Sequence, residues 1–146
     1  MADRKRVLIL CTGNSARSQM AEGLLRHDGG EGFEVESAGV SPSRVRPEAV
    51  KAMREIGIDI SGHRSKSADG FARREFDYVI TVCDNAKETC PVFPGAAERI
   101  HHSFEDPPQP GAADPETTLV VFRRVRDEIR GWLRDDFIPR ASGARR

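Results

Sequence analysis

The chain has 146 residues and carries 23 Lys plus Arg against 23 Asp plus Glu, so its formal charge is zero. That size suits one compact domain, taken as residues 1–140 with a flexible tail at 141–146. Balanced charge offers no basic excess to hold nucleic acid or an anionic membrane. No apolar run nears the ~18 residues of a membrane span, and Met-Ala-Asp-Arg-Lys-Arg at the start is not followed by a signal-peptide cleavage pattern, so a cytoplasmic location is expected. Three cysteines, an odd number, suit a disulfide framework poorly and point to thiol chemistry.

In chain order, residues 7–10 read as a short buried strand. The turn Gly13-Asn14-Ser15 leads from it into a helix carrying Met20, Leu24 and Leu25. Residues 33–38 predict a second strand closed by Gly39. Pro47 opens a helix through Val50, Met53 and Ile56 that stops at Gly57. A continuous β-branched run at 78–82 predicts a third strand, and a weaker fourth falls near 99–101, before the Pro-rich turn at 106–111. Asp114-Pro115-Glu116 supplies an N-cap, a first-turn proline and a first-turn acid for a helix whose stripe is Phe122, Val125, Ile129 and Leu133. Strands alternating with helices predict an α/β domain whose parallel sheet is covered on both faces.

The chemistry starts where the first strand meets the first helix, at Cys11-Thr12-Gly13-Asn14-Ser15-Ala16-Arg17-Ser18. Ligands of open α/β sheets bind beyond the carboxyl ends of the strands. Gly13 and Asn14 tolerate positive φ, so the loop can curl until successive N–H groups face one anion, with the helix dipole behind them. Thr12, Gly13, Asn14, Ser15, Ala16 and Arg17 are the expected anion binders, Arg17 as a planar fork onto the anion oxygens. The same positive field favours a thiolate at Cys11, and Ser18 is placed to donate a hydrogen bond to it.

The segment 7–23, with Cys-X5-Arg-Ser followed by Gln19-Met20-Ala21-Glu22-Gly23, resembles the low-molecular-weight protein tyrosine phosphatases and, among them, the thioredoxin-coupled arsenate reductases. The resemblance continues through Ser37-Ala38-Gly39, Thr81-Val82-Cys83, Cys90-Pro91 and Phe104-Glu105-Asp106-Pro107. It implies a four-stranded parallel sheet in the order 2-1-3-4. It also implies a three-thiol relay: Cys11 forms a thiol–arsenate adduct, Cys83 displaces arsenite, and Cys90 resolves the resulting disulfide. Reducing As(V) to As(III) takes two electrons, which a thiol pair ending as a disulfide provides, whereas ester hydrolysis takes none. The matching aspartate, Asp106, is implied as the general acid. No tightly bound cofactor and no metal is expected. The partners expected are an arsenate or phosphate-like oxyanion and an external thiol reductant, thioredoxin first.

Two rival functions stay open at this stage, a phosphatase whose extra thiols protect Cys11, and an anion-binding or redox-sensing protein without turnover. Pro108-Gln109-Pro110 follows Asp106-Pro107 where phosphotyrosine enzymes place aromatic residues, which disfavours a phosphotyrosine specialist. A zinc site with His101 and His102 is disfavoured by the wide Cys-X6-Cys spacing. Relatives that hold a potassium ion do so with residues matching Asn14, Glu22, Ser37 and two further oxygens. Arg64 and Lys66 stand at those last two places, so either a cationic side chain sits beside Glu22 or both are surface charges. Ala16 replaces a further cysteine that many reductases carry. His27 and His63 are expected to be surface or capping residues. Residues 84–89 contain the helix formers Ala86, Lys87 and Glu88. A helix there would hold Cys83 and Cys90 roughly 10 Å apart, beyond the about 4.4–6.8 Å of a disulfide, so bridging them requires it to unwind.

Overall fold

The computed structural model describes residues 4–71, 73–83 and 96–141. Four strands, β1 (Lys5–Cys11), β2 (Phe33–Gly39), β3 (Phe76–Thr81) and β4 (Ala96–His101), form one parallel sheet in the order β2-β1-β3-β4. The α-helices are α1 (Arg17–Gly29), α2 (Pro47–Arg54), α3 (Pro115–Trp132) and α4 (Ile138–Ala141). The sheet order implied by the resemblance is the one observed.

β1 is central, and Val7, Leu8, Ile9 and Leu10 are all fully buried, as expected of a strand covered on both faces. Odd and even residues part company at the sheet. Val7 and Ile9 join the large core with Met20, Leu24, Met53, Phe122, Val125 and Ile129. Leu8 and Leu10 pack on the other face with Phe71, Phe76 and Val79. β4 is an edge strand with one buried residue, Ile100, and its missing apolar alternation is why its pattern is faint in the sequence.

The helix signals hold. Asp114 accepts a hydrogen bond from the Thr117 N–H at 2.8 Å, and Pro115 opens α3. Gly57, with φ of 82°, follows the end of α2. At its far end α3 passes into a π-turn, Leu133–Phe137, before α4. Ala141, expected to begin the polar tail, instead closes α4 and is buried, because the π-turn carries the chain back onto the core. Residues 142–146, Cys90 and the expected helix at 84–89 lie outside the described residues. No helix among the described residues is long and apolar enough to cross a membrane.

Candidate active site

The parallel order brings the carboxyl ends of β1, β3 and β4 to one edge, and the candidate residues gather there. Cys11 ends β1 and is buried, and residues 12–16 then turn the chain into α1. Asn14 takes the left-handed conformation, φ 49°, alone among the described non-glycine residues. Gly39 allows the turn to lie against β2. A Cβ there would sit 2.5 Å from the Thr12 carbonyl oxygen and 2.9 Å from the Asn14 nitrogen.

Each loop carbonyl is drawn outward. Thr12 O accepts from Ser41 N at 2.9 Å, Gly13 O from Ser43 N at 3.2 Å and Ser65 Oγ at 3.0 Å, and Ser15 O from Arg46 N at 2.9 Å. Asn14 O accepts from Gln19 Nε2 at 3.1 Å, and Ala16 O from the helical Met20 N at 2.9 Å. A planar peptide whose oxygen points out turns its N–H in. None of the N–H groups of residues 13–16 donates to a backbone carbonyl among the described residues. They face a pocket of about 250 Å³ lined by Cys11, Arg17, Ser43, Asp106 and Gln109 besides the loop itself, at the positive end of α1. Such an arrangement can cradle a tetrahedral oxyanion.

Side chains behind the loop fix its shape and orient the sulfur. Asn14 Oδ1 accepts from the Lys66 N–H at 2.8 Å, which identifies Nδ2 as the donor to Ser18 Oγ at 2.8 Å and Ser37 Oγ at 2.9 Å. Ser18 Oγ, already accepting, is left with its hydrogen for Cys11 Sγ, 3.0 Å away. Ser37 in turn donates to Glu22 Oε1 at 2.5 Å. Glu22 is almost fully buried, and its other oxygen meets Arg26 at 2.8 Å. Lys66 Nζ lies 3.8 Å from Glu22 Oε1 and donates to the Arg64 carbonyl at 3.1 Å. The cationic side chain beside the buried carboxylate is therefore Lys66, and Arg64 contributes its carbonyl.

His63 departs from expectation. It is half-buried and bonds Gln19 Oε1 through Nδ1 at 3.0 Å, with Glu22 Oε1 at 3.9 Å. Burial pushes its pKa below the ordinary imidazole value, outweighing the opposite pull of Glu22. Directly after the helix-breaking turn at 57–62 it looks like a surface residue; its partner, Gln19, lies 44 positions earlier. His27 is exposed and touches Asp28 at 3.0 Å. His101 bonds Thr81 Oγ1 at 2.7 Å, and His102 stacks on Phe104 at 4.6 Å.

Arg17 crosses the strand ends. Its Nη1 donates to Phe104 O at 3.3 Å and to Val82 O at 3.5 Å, and its Nη2 lies 3.4 Å from Asp106 Oδ1. Asp106 is about one-third exposed and its other oxygen accepts from Gln109 Nε2 at 3.3 Å. Cation, acid and thiol thus line one pocket. Val82 N donates to Leu10 O at 3.0 Å, which carries the β1–β3 pairing one step past β3 and puts Cys83 just beyond the level of Cys11. Cys83 is fully buried and disulfide-bonded, whereas Cys11 is a free thiol. The strap at 41–46, which holds three loop carbonyls, escaped sequence reasoning; Pro47 was its one local signal.

Residues 6–135 match the family model described as low molecular weight phosphotyrosine protein phosphatase. An arsenate reductase from Halalkalibacterium halodurans is 47% identical over 127 residues, covering 87% of this chain and 91% of the relative. One from Staphylococcus aureus is 43% identical over 128 residues, covering 88% and 92%. Among solved structures, an arsenate reductase in the phosphate binding state superposes with a TM-score of 0.78 at 34% identity, covering 93% of this chain and 98% of that one. The Corynebacterium glutamicum thioredoxin-dependent arsenate reductase gives 0.68 at 27% identity, covering 96% and 64%.

Proposed function

Because this chain belongs to the low molecular weight phosphotyrosine protein phosphatase family, we propose that it is an arsenate reductase that uses the family's oxyanion loop to hold arsenate over Cys11. One observation carries the reading. A free thiol sits in a cradle of inward N–H groups while a second cysteine, just beyond the neighbouring strand, is already oxidised to a disulfide. A phosphatase needs the cradle and no second thiol.

In the proposed sequence the Cys11 thiolate attacks arsenic. The As–O bond opposite breaks, and Asp106 gives its proton to the departing oxygen, which leaves as water. Arg17 and the loop N–H groups hold the remaining oxygens, and their charge is most useful as negative charge builds on them. The Cys83 thiolate then attacks the Cys11 sulfur. An S–S bond forms, the S–As pair goes to arsenic, and arsenite leaves as As(III). Cys90 attacks Cys83 and returns Cys11 to a thiolate stabilised by Ser18. The final disulfide is the oxidised form of the thiol pair that gave arsenic its two electrons.

An external thiol reductant must then reduce that disulfide, and thioredoxin is the donor we favour; glutaredoxin with glutathione or a mycothiol system are the competitors. A reducing cytoplasm is the compartment this chemistry suits. The relatives named arsenate reductase and the thioredoxin-dependent neighbour support the assignment. The test is arsenate-dependent consumption of reductant with each of the three donor systems supplied in turn. Turnover with one donor is the expected result, and arsenate that leaves every donor unconsumed would overturn the reading.

A further inference from the structure

We propose that Arg46 is a positioning residue that ties the loop carrying Asp106 to the loop carrying Cys11. It is the last residue before α2, and Pro47 after it holds it in an extended conformation, φ −69° and ψ 133°. Its backbone N–H therefore turns back to Ser15 O at 2.9 Å. Its side chain leaves in another direction. Nη1 donates to Pro108 O at 3.0 Å, Nε donates to Glu48 Oε1 at 3.2 Å, and the guanidinium lies 5.0 Å over the Phe122 ring of α3. The whole residue is 8% exposed. One side chain and its own N–H thus join both halves of the site to the core.

The Asp106 loop needs such a tether. Pro107, Pro108 and Pro110 have no N–H to donate. Among the described residues, the backbone bonds next to Asp106 are Phe104 N to Val82 O and, further on, Ala112 N to Gln109 O. Glu105 is held by Arg124, but both are about half exposed. The Arg46–Pro108 bond is charge-assisted and shielded, two residues beyond Asp106, and bonds of that kind hold geometry better than exposed ion pairs. The stack on Phe122 fixes the plane of the guanidinium, which an ammonium would not reproduce.

The inference rests on the proposed role of Asp106 as proton donor, so its test has one kinetic arm and one that needs no turnover. Arg46→Met keeps the apolar stem over Phe122 and the N–H to Ser15 and removes only the donors. It should lower kcat for arsenate about tenfold with KM within about twofold, and Arg46→Lys should restore part of the loss. Added to Asp106→Asn, it should cost less than about twofold more, because the misplaced acid is already gone. Without substrate, the hydrogen-bonded amides of Phe104 and Ala112, on either side of Asp106, should exchange faster with deuterium in Arg46→Met while α2 stays protected. Losses that multiply in the double variant, or a raised KM at unchanged kcat, would overturn the positioning role. Unchanged exchange at Phe104 and Ala112 would overturn the tether even if arsenate is reduced. Faster exchange there in a protein that fails to reduce arsenate would sustain the tether and sink the arsenate reading alone.

Discussion

The two ends of α1 solve opposite electrostatic problems. At its start, Asn14, Ser18, Gln19 and Ser37 are fully buried and neutral, and they satisfy one another. The helix N-terminus and the loop N–H groups there face the pocket that Cys11 and Arg17 line, an arrangement suited to a ligand that brings negative charge. At its end, Asp28 sits where the helix dipole disfavours an acid. Arg130 grips it through two bonds of 2.9 Å, and Arg134 through bonds of 3.1 and 3.4 Å. Charge is retained at one end and cancelled at the other, so damage at the first should cost turnover and damage at the second should cost stability.

Cys11→Ser breaks the first end most completely. It should abolish arsenate reduction while leaving the melting temperature within a few degrees of the parent, as arsenite assay and calorimetry would show. Asp106→Asn should slow the reaction by roughly 10²–10⁴ at similar arsenate affinity. A full rate in that variant would remove Asp106 from the chemistry.

Asp28→Ala attacks the second end. Two arginines lose a shared, nearly buried carboxylate, at a cost of about 2–4 kcal/mol, less than a fully buried pair because Arg134 is half exposed. Urea unfolding should show this loss with kcat unchanged; a fall in kcat of tenfold or more at full folding would erase the contrast between the two ends.

Much of the first end is legible in the sequence, because its logic is local. A strand, a glycine–asparagine turn and a helix with Cys and Arg at either side lie within a dozen residues. Asp106 was reached by resemblance, since an Asp before Pro is more often only a turn. What holds the loop is not local. Ser41, Ser43, Arg46 and Ser65 act through bonds to carbonyls of a loop far back in the chain, and nothing in their own pattern marks them. The second end is wholly tertiary: Asp28 and Arg130 are 102 positions apart, and in sequence both read as solvated charges. Lys66 was legible only as one of two alternatives, and the packing around Glu22 decides between them.

Acid should separate the ends once more. Burial alone would raise the Asp28 pKa, but hydrogen bonds from Arg130, His27 and Arg134 outweigh it and hold the carboxyl well below its usual range. Its contribution is therefore complete above the unfolded value near 4 and fades as pH falls through the acid range below it. His63, at the other end, has its pKa lowered chiefly by burial, so its contribution is complete above about pH 6.5 and fades as pH drops below that. Parent and His63→Gln stability curves should converge as pH falls below about 6.5, whereas Asp28→Ala should differ from the parent in slope only under about pH 4. A smaller kinetic effect, about tenfold, is expected for Ser18→Ala, which leaves the Cys11 sulfur without its hydroxyl donor. An unaltered rate would show that the loop N–H groups suffice.

The central claim is that two electrons pass from this chain's thiols to arsenic through Cys11 and Cys83. Fully reduced enzyme mixed with excess arsenate and no external reductant isolates that step. One arsenite should form per chain, and the titratable thiols should fall from three to one, with Cys11 the thiol that remains. Arsenite formed by Cys83→Ser in the same amount, or three thiols persisting beside one arsenite, would contradict it.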